Sequence, residues 1–508
     1  MKRLLYILSA LFAITSCGGT QVEGPNLLPI ELKVDRTMLE FTAAGGTLEF
    51  TVAAQDNPNL SPWENWYTLE KGKWENNKVT VKVTAQPNTE SKERTGKISV
   101  VCDDQKLYVE LLQAASEGNG NGTPSETVPK PTNNAAWKMA DKLGMGWNLG
   151  NHFDAHNNGV SGETFWGNPL ATQETFNKIK AAGFKTVRIP VTWLGHIGPA
   201  PDYKIEAAWL DRVAEVVGYA EKAGLNVIIN MHHDGADSKY WLNIATAALN
   251  PAVQKQIIEQ IHAMWTQIAE KFRGKGDWLI FEAFNEIHDG KWGWGANRTD
   301  GGKQYKCLNE WNNAFLAAVR GAGDTRILGI PAYCTNVDYA IENLELPVDV
   351  IQDRLMVSVH CYDPSDYTLT AKYSEWGHTA ASAKKAPGDN EADLRKTFVK
   401  LYENFVSKGI PVYMGEFGCV NRENLRQQAF QQYYLKYYAK LAKVYGVPAI
   451  IWDNGAKGAG NECHAFIDHG TGMYCSPEAE SAIKALLEGY NNNSSDFTLE
   501  SIYNGAPK

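Results

Sequence analysis

Between residues 144 and 455 the chain repeats one design eight times: a short apolar run that stops at a polar or charged group, followed by a longer stretch. The runs are Gly144 to Asn151, Thr186 to Trp193, Asn226 to Asp234, Trp278 to Glu286, Arg326 to Tyr333, Leu355 to Tyr362, Ile410 to Gly418 and Ala449 to Gly455. Their β-branched and aromatic content fits strands buried on both faces, the condition of a parallel sheet covered by helices. Amphipathic stretches such as Thr172 to Ala182, Ala207 to Ala223, Pro251 to Phe272 and Glu423 to Tyr445 supply the helices. Eight strands each followed by a helix predict an α/β fold, a (β/α)8 TIM barrel. An open doubly wound sheet would carry a Gly-rich phosphate loop after its first strand, and none follows here.

Such a barrel collects its functional groups at the C-terminal strand ends. In chain order the runs finish with Asn148 and Asn151, Arg188, His232-His233-Asp234, Asn285-Glu286, His360 and Tyr362, Glu416, and Trp452. Taken singly, each has a bland reading: a Glu capping the next loop, Arg188 as a salt bridge, His360 or Trp452 as core. Together they argue for a site. Two carboxylates at equivalent strand ends, Glu286 closing WLIFEAFNE and Glu416 within IPVYMGEFG, suit glycoside cleavage. One carboxyl protonates the leaving oxygen while the other attacks the sugar or activates water. No metal or other cofactor is expected. Neighbouring side chains on a strand point to opposite faces, so His232 and His233 should not chelate together.

The run GWNLGN (Gly146 to Asn151), followed in order by NMHHD, FNE, HCY, GEFG and IWDNG, resembles glycoside hydrolase family 5 and its subfamily 4. The resemblance covers Asn134 to about Tyr490. It implies a retaining endo-β-1,4-glucanase in which Glu286 is the acid/base and Glu416 the nucleophile. It also implies that Arg188, His232, Asn285, His360, Tyr362 and Trp452 line the site. Asn148, Asn151 and His233 fall within matching motifs and are carried as substrate-binding candidates. Trp292 and Trp294, in a Gly-rich insert after Glu286, are candidate platforms for sugar rings. The expected substrate is xyloglucan, with unbranched or mixed-linkage β-glucan or mannan as alternatives. A non-catalytic glycan-capture protein is the rival from another class; it would have lost one Glu, and both are present.

The N-terminal part reads differently. Lys2-Arg3 and the apolar run Leu4 to Ile14 form an export signal, and Ile14-Thr15-Ser16-Cys17 resembles the lipobox of bacterial lipoproteins. That resemblance implies a signal peptide at 1–16 and a lipid on Cys17, hence an exported protein tethered to the outer membrane and facing outwards. A flexible leash is expected at 17–32. Residues 33–115 alternate with period two, as in Thr47 to Val52 and Val79 to Val83, which predicts a small immunoglobulin-like β-sandwich. With Val81-Lys82-Val83-Thr84-Ala85, Asn88, Glu93-Arg94-Thr95-Gly96 and Leu111-Leu112-Gln113-Ala114, this segment resembles the BACON domain. Its Trp63, Trp66, Tyr67 and Trp74 fit core or turn packing better than a sugar platform, so the domain reads as a spacer. Residues 116–133, rich in Gly, Pro, Ser and Thr, read as a linker, and 134–508 as the catalytic domain.

The formal charge of −9 is dispersed, without the basic patch that nucleic acid would need. No CxxC occurs, so no structural zinc is expected. Cys463 and Cys475 could pair in an exported protein, whereas most other cysteines read as small buried residues. A spacer on a long leash suits a monomer.

Overall fold

The computed structural model describes residues 31–508 apart from 44, 89–92, 104, 116–133 and 387–388. The expected signal peptide, Cys17, most of the leash and the linker lie outside the described residues. What is described forms two compact units, one on each side of that linker.

The first unit contains β1 (Lys33–Val34), β2 (Met38–Phe41), β3 (Gly46–Ala53), β4 (Asn59–Pro62), β5 (Tyr67–Lys71), β6 (Lys78–Ala85), β7 (Arg94–Cys102) and β8 (Gln105–Gln113). They make two four-stranded sheets, ordered β1-β3-β6-β5 and β2-β8-β7-β4. In β6, KVTVKVTA, every second residue is buried, so Val79, Val81 and Val83 meet Phe50, Val52, Ile98, Val100 and Val109 in one core. Trp66 and Tyr67 belong to that core, and Trp74 packs against it. Trp63 stays outside, edge-on to Tyr108 at 5.7 Å.

The second unit is built on β9 (Met145–Asn148), β12 (Thr186–Ile189), β13 (Asn226–Ile229), β14 (Leu279–Glu282), β15 (Leu328–Asn336), β16 (Leu355–His360), β17 (Val412–Phe417) and β18 (Ala449–Ile451), which close into a parallel barrel. A small antiparallel ribbon, β10 (His156–Asn157) with β11 (Val160–Ser161), stands in the first loop. All eight expected strands are present. Most ladders are shorter than the apolar runs: β13 ends at Ile229 and β14 at Glu282, so His232, His233 and Glu286 lie in the loops beyond, whereas β15 runs on to Asn336.

The helix Ala135–Leu143, just ahead of the first strand, was not anticipated. Ala136, Met139, Ala140 and Leu143 are spaced i, i+3, i+4, i+7 and meet the inward-facing Ile228, Ile280, Met356 and Ile450. The helix therefore plugs the barrel floor, and chemistry is left to the opposite end. Among the described residues no helix is long and apolar enough to cross a membrane. Cys463 and Cys475 do not pair, and all seven described cysteines are free. Their backbones are fixed in separate turns, Cys463 N on Gly460 O at 3.1 Å and Cys475 N on Phe466 O at 2.9 Å.

Candidate active site

The barrel interior is polar above its floor. Arg188, in the middle of β12, is fully buried and held on both sides. Below, its Nη2 and Nε donate to Glu282 at 2.6 and 3.3 Å. Above, Nη1 donates to Glu416 Oε1 at 2.8 Å and Nη2 to Asn285 Oδ1 at 2.8 Å. Burial alone would disfavour the guanidinium charge, but Glu282 and Glu416 outweigh it and its pKa lies above the usual value.

Glu416, on β17, also accepts from the Tyr362 hydroxyl at 2.9 Å. Burial pushes its pKa up, while His360, Arg188 and Tyr362 act in the other direction. Glu286 has no cationic donor of its own. Burial, aided by the charge of Glu282, raises its carboxyl to about 7 against the pull of Arg188. Its Oε1 lies 2.8 Å from His360 Nδ1, and that nitrogen is 3.8 Å from Glu416 Oε2. One oxygen of Glu286 and one of Glu416 come within 4.8 Å of each other. The two carboxyls therefore differ: Glu416, whose pKa is raised on balance by burial and by Glu286, has His360, Arg188 and Tyr362 working against that rise, whereas Glu286, raised to about 7, has only Arg188 against it.

Glu286 has φ +41°, a backbone region that non-glycine residues seldom occupy. Its N–H donates to Thr335 Oγ1 at 2.9 Å, and Asn285 N donates to Met231 O at 2.9 Å, so neighbouring strands hold the turn that aims the acid. Because Asn285 turns its oxygen to Arg188, its amide N–H groups remain to donate elsewhere. Trp452, beyond β18, lies parallel to the His232 ring at 6.1 Å. Gly150 permits this, since a Cβ there would approach the indole to 2.8 Å.

Asn148 and Asn151 have local duties. Asn148 is fully buried, donating to Gly415 O at 3.0 Å and accepting from Arg188 Nη1 at 3.1 Å, so it braces Arg188. Asn151, with φ +59°, forms a turn closed by its N–H on Asp154 at 3.0 Å. His232 and His233 correct the expectation that they diverge: their donor atoms and one from Asp154 all lie within 4.8 Å of one another. Strand alternation no longer applies three residues past the end of β13. The His233 ring packs against His156 and Trp166 at 5.5 and 5.6 Å.

At the rim, Trp292 is 56% and Trp294 74% exposed. Each is backed on one side, Trp292 by His288 at 4.2 Å and Trp294 by the Arg298 guanidinium at 3.8 Å. By contrast Tyr367 and Trp376 are buried packing.

Sequence reasoning missed the layer beneath. Glu282 is fully buried and accepts five hydrogen bonds: two from Arg188, and one each from Asn230 at 3.0 Å, Ser358 at 3.1 Å and Tyr413 at 2.7 Å. A charged residue inside an apolar run was the available signal, because a buried carboxylate demands partners. Asp453 was missed as well; it accepts from Trp147 Nε1 at 2.9 Å and from Phe466 N and Ile467 N at 3.1 and 2.9 Å, tying down the last loop.

The profile described as Cellulase (glycosyl hydrolase family 5) matches residues 151–458, more than half of the chain. The chain belongs to glycosyl hydrolase family 5. A second profile, BACON, described as a putative N-terminal binding domain, matches residues 60–114. Endoglucanase A of Paenibacillus barcinonensis is 37% identical over 68% of this chain and 89% of its own length. The xyloglucan-specific endo-beta-1,4-glucanase BoGH5A of Bacteroides ovatus is 30% identical over 97% of each chain. Among solved structures, a GH5-4 broad specificity endoglucanase from Bacteroides salanitronis superposes with a TM-score of 0.69 at 51% identity, covering 74% of this chain and 100% of that one. This family 5 protein is a glycoside hydrolase.

Proposed function

We propose that the enzyme cleaves β-1,4-glucan internally by double displacement, with Glu416 as nucleophile and Glu286 as acid/base. The observation that carries this is the unequal pair: two carboxyls within 4.8 Å, only one of them hydrogen-bonded by Arg188 and Tyr362. So close an approach favours the nearer pairing of carboxyls that retaining enzymes use over the wider one that inversion needs. Glu416 attacks the anomeric carbon from below as Glu286 passes its proton to the departing oxygen. In the second step Glu286 takes a proton from water, which displaces Glu416 and restores both groups. The Asn285 amide is placed to donate to the sugar 2-OH, a contact that strengthens as the ring approaches an oxocarbenium ion. His232 and Trp452 flank the same sugar, Trp452 offering an apolar face. The partner is therefore a polysaccharide.

The substrate we assign is xyloglucan, on the likeness to BoGH5A across both domains. A broad range over branched and unbranched glucans is the second reading, favoured by the 51% identity to a broad-specificity endoglucanase. We also assign a lipid on Cys17 and an outward-facing place on the outer membrane, on the lipobox-like run and the BACON domain. NMR of the first products tests the mechanism: the β-anomer should appear before mutarotation, and an initial α-anomer overturns double displacement. Comparing kcat/KM on xyloglucan and unbranched β-1,4-glucan decides between the substrate readings. A strong xyloglucan preference supports the first, and near-equal values the second.

A further inference from the structure

We infer that Glu282, which is sealed from substrate, is the positioning residue that sets both the aim and the protonation range of the reacting pair; the inference rests on the double-displacement reading above. Three observations carry it. Glu282 holds two opposite sides of the site at once: its Oε1 accepts from Arg188 Nη2 at 2.6 Å and from Asn230 Nδ2 at 3.0 Å. Asn230 Nδ2 in turn lies 3.2 Å from His232 Nδ1, so Arg188 and His232, which both approach Glu416, hang from one carboxylate.

The barrel is also shaped to keep this carboxylate satisfied. The Tyr413 phenol crosses the interior to reach Glu282, and it can do so only because residue 329 is glycine; a Cβ there would come within 2.1 Å of the hydroxyl. Finally, the charges balance. One guanidinium, Arg188, serves two carboxylates, Glu282 below and Glu416 above, so Glu282 takes up part of the positive field that would otherwise act wholly on Glu416 and Glu286. The other titratable groups facing this layer are His360 and Tyr413 against Glu282, with His232, His233, Tyr362, Asp154, Cys334 and Glu462 around Arg188 and the reacting pair. None of them is a second permanent cation.

The consequence can be read in pH. Replacing Glu282 by Gln removes a buried negative charge and frees Arg188 to favour ionisation above it. Both carboxyls should titrate lower, displacing the whole kcat/KM profile toward acid by roughly one pH unit. The maximum should also fall by about tenfold or more, as Arg188 and Asn230 lose their common acceptor. A residue that only fills space would lower the maximum without moving the limbs. The experiment compares unmodified protein and Glu282→Gln over pH 4 to 9 on soluble β-1,4-glucan, with thermal unfolding of each. An active unmodified protein and an unshifted Glu282→Gln profile overturn this inference alone, whereas an unmodified protein without turnover on any glucan overturns the functional reading. If Glu282→Gln does not fold, Tyr413→Phe decides. It leaves the carboxylate in place with one donor fewer, so the limbs should move a few tenths of a unit toward alkali; unmoved or acid-shifted limbs overturn the proposal.

Discussion

At the scale of single residues, the site is an arrangement for making two glutamates unlike. Glu286 at about 7 must be protonated to act as acid, and its charged form is the one that burial disfavours. Activity is therefore expected to fall about tenfold per pH unit above roughly 7, and to fall again on the acid side as Glu416 takes up a proton, two limbs seen directly in kcat/KM against pH. Substituting Glu286→Gln should cost about 10²–10⁴-fold in turnover of glucan. On an aryl glycoside whose phenolate leaves unaided, the loss in kcat/KM, which reports the first step alone, should be far smaller. Tyr362→Phe removes one of the two strong donors to Glu416, and a hydrogen bond to a charged group is worth about 1.5–3 kcal/mol. We expect kcat to fall about 10- to 100-fold with KM little changed, measured by steady-state kinetics. The residues proposed to meet sugar were legible in the sequence because most of them stand at or near the end of an apolar run. Glu282, Asn230, Ser358 and Tyr413 were not, because alternation along a strand tells which residues face inward but not which of them meet across a closed barrel.

At the scale of elements, the strands announced themselves through apolar content, while their ends did not. The ladder of β14 stops four residues before Glu286, and the backbone of Asn285 and Glu286 is held instead by Met231, just past β13, and by Thr335 on β15. The floor helix Ala135–Leu143 was missed although its i, i+3, i+4, i+7 stripe was readable, since the repeat appeared to begin at the first strand. In the loop after β14, Asp289 accepts from Lys291 N at 3.2 Å and Ala296 N at 2.8 Å, and Tyr339 donates to Gly293 O at 2.7 Å. Trp292 and Trp294 are thus presented on a braced turn, and Trp292→Ala should raise KM about 3- to 10-fold while leaving kcat nearly unchanged, the signature of lost ring stacking.

The loop after β9 offers a stability test. Glu163 accepts from Arg212 Nε and Nη2 at 2.8 and 2.9 Å and from Ala171 N at 2.7 Å. Burial alone would raise its pKa, but His152, Arg212 and Ala171 together hold it down to about 2, against 4.5 for a free glutamate. A depressed carboxyl stabilises the fold fully above its unfolded pKa, and that contribution drains away as pH falls toward 2. Glu163→Gln should therefore lower Tm at pH 6 to 7, and the gap to the unmodified protein should close between about pH 4.5 and 2.

At the scale of the whole molecule, each unit owns its core. The sandwich buries Phe50, Val81, Val100 and Val109 among its own strands, and the barrel with its floor helix closes over a far larger apolar interior. A sandwich of this size buries a smaller fraction of its chain surface than the barrel does, so it should be the weaker partner thermally. Calorimetry should resolve two transitions, the sandwich core melting before the barrel core. Every residue assigned to chemistry lies between 148 and 452, within the second unit. A protein beginning at residue 134 keeps the floor helix with its Asn134 cap, whose side chain accepts from Trp137 N at 2.9 Å, and is expected to hold kcat/KM on soluble xyloglucan within about twofold of the longer protein. A start at residue 144 removes the plug beneath Ile228, Ile280, Met356 and Ile450 and should cost several kcal/mol of stability by exposing that layer. The contrast between those two truncations, read as Tm and kcat/KM side by side, separates a spacer domain from a structural one: the sandwich should be dispensable, and the nine residues of the floor helix should not.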